Sequence, residues 1–223
     1  MVTNKTYIIF TTQPDCVFVP TLTIWGDFNF RLTITDRQGQ LRSQTLNLGQ
    51  PWRIRDSLAF LRLMIGFCFA DKTVVGYDPT MWTDDWDKVT SIMCEGRWFT
   101  VIKPIFETQS LIGRATRVWE VEYESKKFIL KDAWVESSRP TSEFHVLADL
   151  QGMKGVPQLF CGCDVTINGV PLTTELIREN ICGDQTRSRV RRRVVSSTIG
   201  VPIASFSSKK ELISAFRDIV MSM

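Results

Sequence analysis

At 223 residues, 43% hydrophobic and 23% charged, the chain has the apolar mass for one large or two small cores and an ordinary globular balance. No window reaches the roughly 18–20 consecutive apolar residues of a membrane-spanning helix: the apolar run 58–70 is broken by Arg62, and one lysine ahead of the brief apolar stretch 7–10 does not make a signal peptide, so an intracellular protein, cytoplasmic or nuclear, with no membrane partner is expected. A net charge of +3 is too small to imply nucleic acid as a partner.

Along the first hundred residues the pattern predicts α+β structure. Residues 7–10 and 22–25 read as strands, and 28–35 alternates with period two. The turn chemistry of Asp36-Arg37-Gln38-Gly39-Gln40 and the alternation over 41–48 make a hairpin with it. From 54 to 69 the spacing becomes helical, with Ile54, Leu58, Leu61, Ile65 and Cys68 on one stripe and Pro51 at its entry. Residues 74–80 leave that helix, and 82–88 read as an acidic, aromatic loop. Residues 91–94 and 98–103 form a further hairpin around Glu95-Gly96-Arg97.

The next segment predicts a meander of 106–112, 117–123 and 127–134, turning at Gly113 and at Glu124-Ser125-Lys126. A polar linker, 135–139, leads to a helix over 140–150, on which Glu143, Leu147 and Leu150 share one face. A strand over 158–166 follows, then the turn signal Asn168-Gly169. Residues 170–186 carry no clear pattern; 187–195 becomes a strand, read as one solvated face of alternating arginines in which Arg191 has no part in the site. Ser208-Lys209-Lys210-Glu211 is a capping box for a last helix with Leu212, Ala215, Phe216 and Ile219 on its apolar face.

Cys16, Cys68, Cys94, Cys161, Cys163 and Cys182 are scattered, and Cys161-Gly162-Cys163 lacks a second pair at zinc-site spacing, so free thiols in a reducing compartment are expected. The lone His145 excludes histidine-rich metal sites and argues against a Ser-His-Asp triad. The tryptophans fall in separate segments and read as core and edge packing.

One constellation carries chemistry. A strand–turn–strand at Gly113-Arg114-Ala115-Thr116 is followed by Lys131 behind the apolar Phe128-Ile129-Leu130, then by Glu143 on a leucine-bearing helix stripe. A charge inside a strand with apolar neighbours is costly unless paired. A turn over phosphates, a strand lysine on them and a helix glutamate holding that lysine are the phosphate-gripping half of a protein-kinase fold. The competing reading is an edge lysine that snorkels, with an unrelated helical glutamate.

Several blocks in order resemble the fungal-type protein kinase family: Val75-Gly76-Tyr77-Asp78-Pro79-Thr80, Ile112-Gly113-Arg114-Ala115-Thr116-Arg117-Val118-Trp119, Leu130-Lys131-Asp132-Ala133-Trp134, Gly155-Val156-Pro157, Arg191-Arg192-Arg193-Val194-Val195 and Ile199-Gly200-Val201-Pro202-Ile203. The resemblance spans about residues 25–220. It implies an α+β chain: an antiparallel accessory region, 1–104, then a kinase-like N-lobe, 105–223, whose twisted antiparallel sheet carries a helix C from Arg139 through Glu143 to Leu147. The hinge would be 196–201, followed by the capped helix.

The activity implied is ATP-dependent Ser/Thr phosphorylation, with ATP held by Gly113, Arg114, Ala115, Thr116, Lys131, Glu143 and Ile199. Ala115 stands where a second glycine is common, and the 223 residues contain no His-Arg-Asp or Asp-Phe-Gly motif. No catalytic residue and no magnesium site is therefore assigned; the expectation is an inactive truncated relative with weak ATP binding at most. The alternative is a non-catalytic interaction protein, meeting a protein partner or a second copy through Phe206, Phe216 and Ile219.

Overall fold

The computed structural model describes residues 2–49, 54–178, 188–200 and 203–221. Helix α1 (Val2–Thr12) precedes a small sheet of β1 (Val19–Trp25), β2 (Asn29–Thr35), β3 (Gln40–Arg42) and β4 (Leu46–Asn47), in which β2 pairs with the other three. Helix α2 (Ile54–Phe69) sets Phe60 edge-on against Phe30 of β2, with ring centroids 5.3 Å apart.

The rest is organised by a seven-stranded antiparallel sheet in the order β10-β13-β9-β8-β7-β6-β5. Its members are β5 (Met81–Thr83), β6 (Val89–Cys94), β7 (Arg97–Glu107), β8 (Arg117–Tyr123), β9 (Lys126–Glu136), β10 (Leu159–Asp164) and β13 (Arg189–Ser196). Helix α3 (Glu143–Asp149) lies between β9 and β10 in the chain; the ribbon β11 (Thr166–Ile167) and β12 (Val170–Pro171) and helix α4 (Thr174–Arg178) precede β13. A 3₁₀ turn, Ile203–Ser205, and α5 (Lys209–Met221) follow. The sheet curls around one apolar core, which joins Ile92 and Cys94 of β6 and Phe99 of β7 to Val121, Leu130, Cys161 and Val195. Residue 104 lies inside β7, so the chain on both sides of it contributes to this one sheet.

Most expected elements are present, with instructive exceptions. Residues 7–10 are helical, within α1; a four-residue apolar run fits a buried strand or a buried helix equally, and Phe10 is buried under the Arg37 guanidinium, 3.9 Å from its ring centre. The α2 stripe is reversed: Ile54, Leu58, Leu61 and Ile65 are exposed, while Phe60, Leu63 and Phe67 turn toward β1 and β2. That helix is apolar nearly all round, so spacing alone does not choose its face. Residues 82 and 83 of the expected loop belong to β5 and pair with β6, and strand β7 ends at Glu107, leaving 108–112 to a loop. Pro51, Cys182, Arg187 and Val201 lie outside the described residues.

The largest correction concerns the arginine strand. Arg191 and Arg193 are not solvated; they are 3% and 0% exposed and interlock with two buried carboxylates. Asp132 Oδ2 accepts from Arg191 Nη2 at 2.7 Å and from Arg193 Nε at 3.3 Å. Asp78 Oδ2 accepts from Arg193 Nη2 at 2.7 Å and lies 2.7 Å from Arg191 Nη1. Asp78 Oδ1 takes the Thr80 N–H at 2.8 Å and the Thr80 hydroxyl at 2.5 Å, and Arg193 Nη1 donates to the Met93 carbonyl at 2.7 Å. Alternation explains the split: Arg191 and Arg193 share one face of β13, while the half-buried Arg192 lies on the other and pairs with Asp164 at 2.7 Å.

Desolvation pushes both carboxyls up, but Arg191 and Arg193 more than offset it, and both end below the ordinary aspartate value. A carboxyl lowered in the folded state adds stability that is complete above its unfolded value near ~4 and is lost as pH falls through the folded value. Urea titrations should therefore show stability falling with acid below about pH 4. Asp132→Asn should cost about 3–5 kcal/mol at neutral pH by stranding buried guanidinium charge, and Arg192→Ala about 1 kcal/mol or less. Equal costs for the two variants would contradict the network.

Candidate functional site

The alternation that buries Asp132 sends its neighbour Lys131 to the opposite face of the sheet. Ile129, Lys131, Ala133 and Val135 line that face, against the buried Leu130, Asp132 and Trp134 behind them. Across the ladder Lys131 has Val118 of β8 on one side and Val194 of β13 on the other. Apolar neighbours on both sides leave the ammonium one direction to go, outward to α3.

Glu143 is the first residue of α3, and the helix start is fixed by Ser142, whose Oγ accepts the His145 N–H at 3.2 Å. The adjacent Phe144 sits on Gly162 of β10, where even a β-carbon would come within 2.5 Å of the Phe144 Cβ. Helix and sheet therefore meet closely at the residue beside Glu143. Lys131 Nζ donates to both Glu143 carboxylate oxygens at 2.7 Å. An ammonium carries three N–H donors, so one remains for a further anionic group.

Two cavities flank this pair. One, of about 320 Å³, is walled by Ile105, Val118, Ile129, Leu147 and Val194, with Ser196, Thr198 and Gly200 at its edge. The other, of about 190 Å³, is cationic, with Arg114, Arg139 and Arg192 converging beside Lys131. Arg114 and Arg139 have no ion-pair partner among the described residues. The first suits a flat, mostly apolar ring and the second an oxyanion, with Lys131 between them.

The glycine turn contributes less than its sequence implies. The Gly113 N–H donates to the Arg37 carbonyl at 2.9 Å, and its φ of +106° is one only glycine adopts without strain. Arg37 Nη1 donates to the carbonyls of Ser110 and Leu111 at 3.1 and 3.2 Å, and burial, then Arg117 and Arg191, lower its guanidinium pKa to about 9. The Arg114 carbonyl accepts the Trp134 N–H at 2.7 Å, Ala115 packs among Val17, Trp134, Val165 and Leu172, and the Thr116 carbonyl accepts from Thr108. The loop is thus pinned to the large sheet and to the β2–β3 turn of the small one, and of Gly113–Thr116 only Arg114 lines either of the two cavities.

Ile199 sits between two cavity-lining residues but is itself 45% exposed. The segment before it is tied to the start of β10, since Ser197 N–H donates to the Gln158 carbonyl and Gln158 N–H to Thr198 Oγ1, both at 3.0 Å. Sequence reasoning missed Arg139 and Arg192 as neighbours of Lys131; period-two spacing from Val194 to Arg192 was the available signal for the second.

Lys131 and Glu143 remain 30% and 44% exposed, and such a pair contributes little to folding. Lys131→Met should therefore lower unfolding stability by no more than about 1 kcal/mol in urea titrations. A loss several times larger would mark the pair as a structural clamp and not a ligand site.

No helix among the described residues is long and apolar enough to cross a membrane. No curated protein and no solved structure matched the chain. The family model for the fungal protein kinase matches residues 1–223, the whole chain. A match over the whole chain shows the family, and the chain belongs to the fungal protein kinase family.

Proposed function

We propose that these residues form a kinase-type N-lobe with α3 as helix C, and that they grip ATP without completing phosphoryl transfer. The observation that carries the reading is the Lys131–Glu143 pair, 2.7 Å between ammonium and carboxylate, set between an apolar cavity and a cationic one. A strand lysine on the phosphates, held by a helix glutamate, is the arrangement kinases use. Adenine would occupy the cavity walled by Ile105, Val118 and Ile129, near the backbone at Thr198 and Gly200. Lys131, aided by Arg114, would hold the phosphates.

The pinned Gly113 amide removes one donor from the loop, which lowers the expected affinity. Bound ATP would supply the transferable phosphoryl group, but the 223 residues contain neither the catalytic-loop aspartate nor the Asp-Phe-Gly aspartate that holds magnesium. The reading is therefore weak, magnesium-independent binding. Calorimetry should give a dissociation constant on the order of 0.1–1 mM. Lys131→Ala should weaken it about tenfold or more, as expected for a lost charged hydrogen bond, and Arg217→Ala on α5 should not. Equal binding by Lys131→Ala and wild type, or tight magnesium-dependent binding, would overturn the reading.

A second reading, a non-catalytic interaction protein, is favoured by α5 and its approach, where Phe206, Ile213 and Phe216 are 43%, 67% and 54% exposed. The Ile219 side chain lies outside those described. A second copy or a protein partner meeting this helix should be weakened by Phe216→Asp. Sizing by light scattering should then show association that rises with concentration and is lost in that variant; a monomer at all concentrations that also retains no partner would remove this reading.

A further inference from the structure

The curl of the large sheet brings together two thiols that neither the ion pair nor the cavities use. Cys94 ends β6 and Cys163 lies in β10; these strands are not neighbours in the sheet, yet their Sγ atoms are 3.6 Å apart. Cys94 is 1% exposed, Cys163 is only half-buried, and Cys161, two residues away on β10, is buried again. Cys163 is thus the more exposed of the two residues, and Cys94 lies behind it.

We propose that Cys163 and Cys94 form a peroxide-sensitive dithiol site, in which Cys163 is oxidised first and Cys94 resolves it to a disulfide. The strands are already held in register for this: the Gly162 N–H donates to Glu95 Oε1 at 3.0 Å, tying β10 to the β6–β7 turn. The two sulfurs need to approach by about 1.5 Å to reach the roughly 2.05 Å of an S–S bond. Cys163 is the better nucleophile of the pair. The hydrogen bond shared with Cys94 lowers the Cys163 pKa to about 7, against desolvation, with help from the Glu95 backbone N–H and the Arg193 charge and opposition from the Glu95 carboxylate. Its contacts with Cys161 and Cys163, and then burial, push the Cys94 pKa up.

The chemistry balances with a peroxide as the oxidant. The Cys163 thiolate attacks the distal oxygen of a hydroperoxide; the S–O bond forms, the O–O bond breaks, and the leaving alkoxide or hydroxide takes a proton. The Cys94 sulfur then attacks the sulfenic sulfur; the S–S bond forms, the S–O bond breaks, and the departing hydroxide takes the Cys94 proton as water. Both cysteines are oxidised and one peroxide is reduced.

The consequence falls on the functional face. Gly162, between Cys161 and Cys163, is the residue on which Phe144 rests, next to Glu143. A covalent tie at Cys163 fixes β10 directly under the start of α3.

The test treats the full chain with hydrogen peroxide, blocks remaining thiols and maps disulfides by mass spectrometry after proteolysis. The expected product is a Cys94–Cys163 cross-link, reversed by dithiothreitol, retained in Cys161→Ser and lost in Cys163→Ser. In Cys94→Ser a 1,3-dione reagent should trap sulfenic acid on Cys163. A cross-link that survives in Cys163→Ser, or wild-type protein in which Cys163 is unoxidised or proceeds to sulfinic acid without cross-linking, would overturn the proposal.

Discussion

The buried cluster of Asp78, Asp132, Arg191 and Arg193 is the constraint on which the rest of the fold depends. It joins three parts of the chain far apart in sequence: the turn after α2, the middle of β9 and the middle of β13. Charges this deep are tolerated only when each is met by opposite charge and hydrogen bonds, and here Thr80 and the Met93 carbonyl take up further donors and acceptors of the set. The apolar face already resists a one-residue slip, which would turn it to solvent; the paired charges add to that, because the same shift would leave buried guanidinium and carboxylate groups without partners.

That register matters because the same strands carry the site on their other face. With Asp132 fixed inward, Lys131 must point outward, between Val118 and Val194. With Arg193 inward, Arg192 joins the cationic cavity. The small N-terminal sheet is bound into the same scheme through Asp36, whose carboxylate accepts two bonds of 2.7 Å from Arg178, and through Arg37, which holds the glycine loop from beneath. Arg117 completes it by donating to the Phe10 and Pro14 carbonyls at the end of α1. The N-terminal region thus shapes the loop beside the site and does not stand apart from it.

What could be read from the sequence follows from how local each signal is. The Lys131–Glu143 pair was legible because a strand lysine behind three apolar residues and a glutamate on a leucine stripe each demand a partner, and the pair lies only 12 residues apart. The Asn168-Gly169 turn and the Ser208 cap, whose Oγ accepts the Glu211 N–H at 3.2 Å, were legible for the same reason. The arginine strand was misread because its partners are 59 and 115 residues away, and no local pattern separates a guanidinium facing water from one facing a distant aspartate. The loop at Gly113 shows a subtler failure: its glycine was found, but the acceptor that uses its N–H is the carbonyl of Arg37, in the distant β2–β3 turn.

The central claim is that Lys131 meets the phosphates of ATP. An acyl-phosphate derivative of ATP transfers its label to a lysine amine held beside the bound phosphates, and peptide mapping identifies which lysine was modified. The account predicts labelling concentrated on Lys131, suppressed by excess ATP and diminished in Glu143→Ala, where the ammonium is no longer held in place. Labelling spread over exposed lysines such as Lys209 and Lys210, unaffected by ATP, would contradict it.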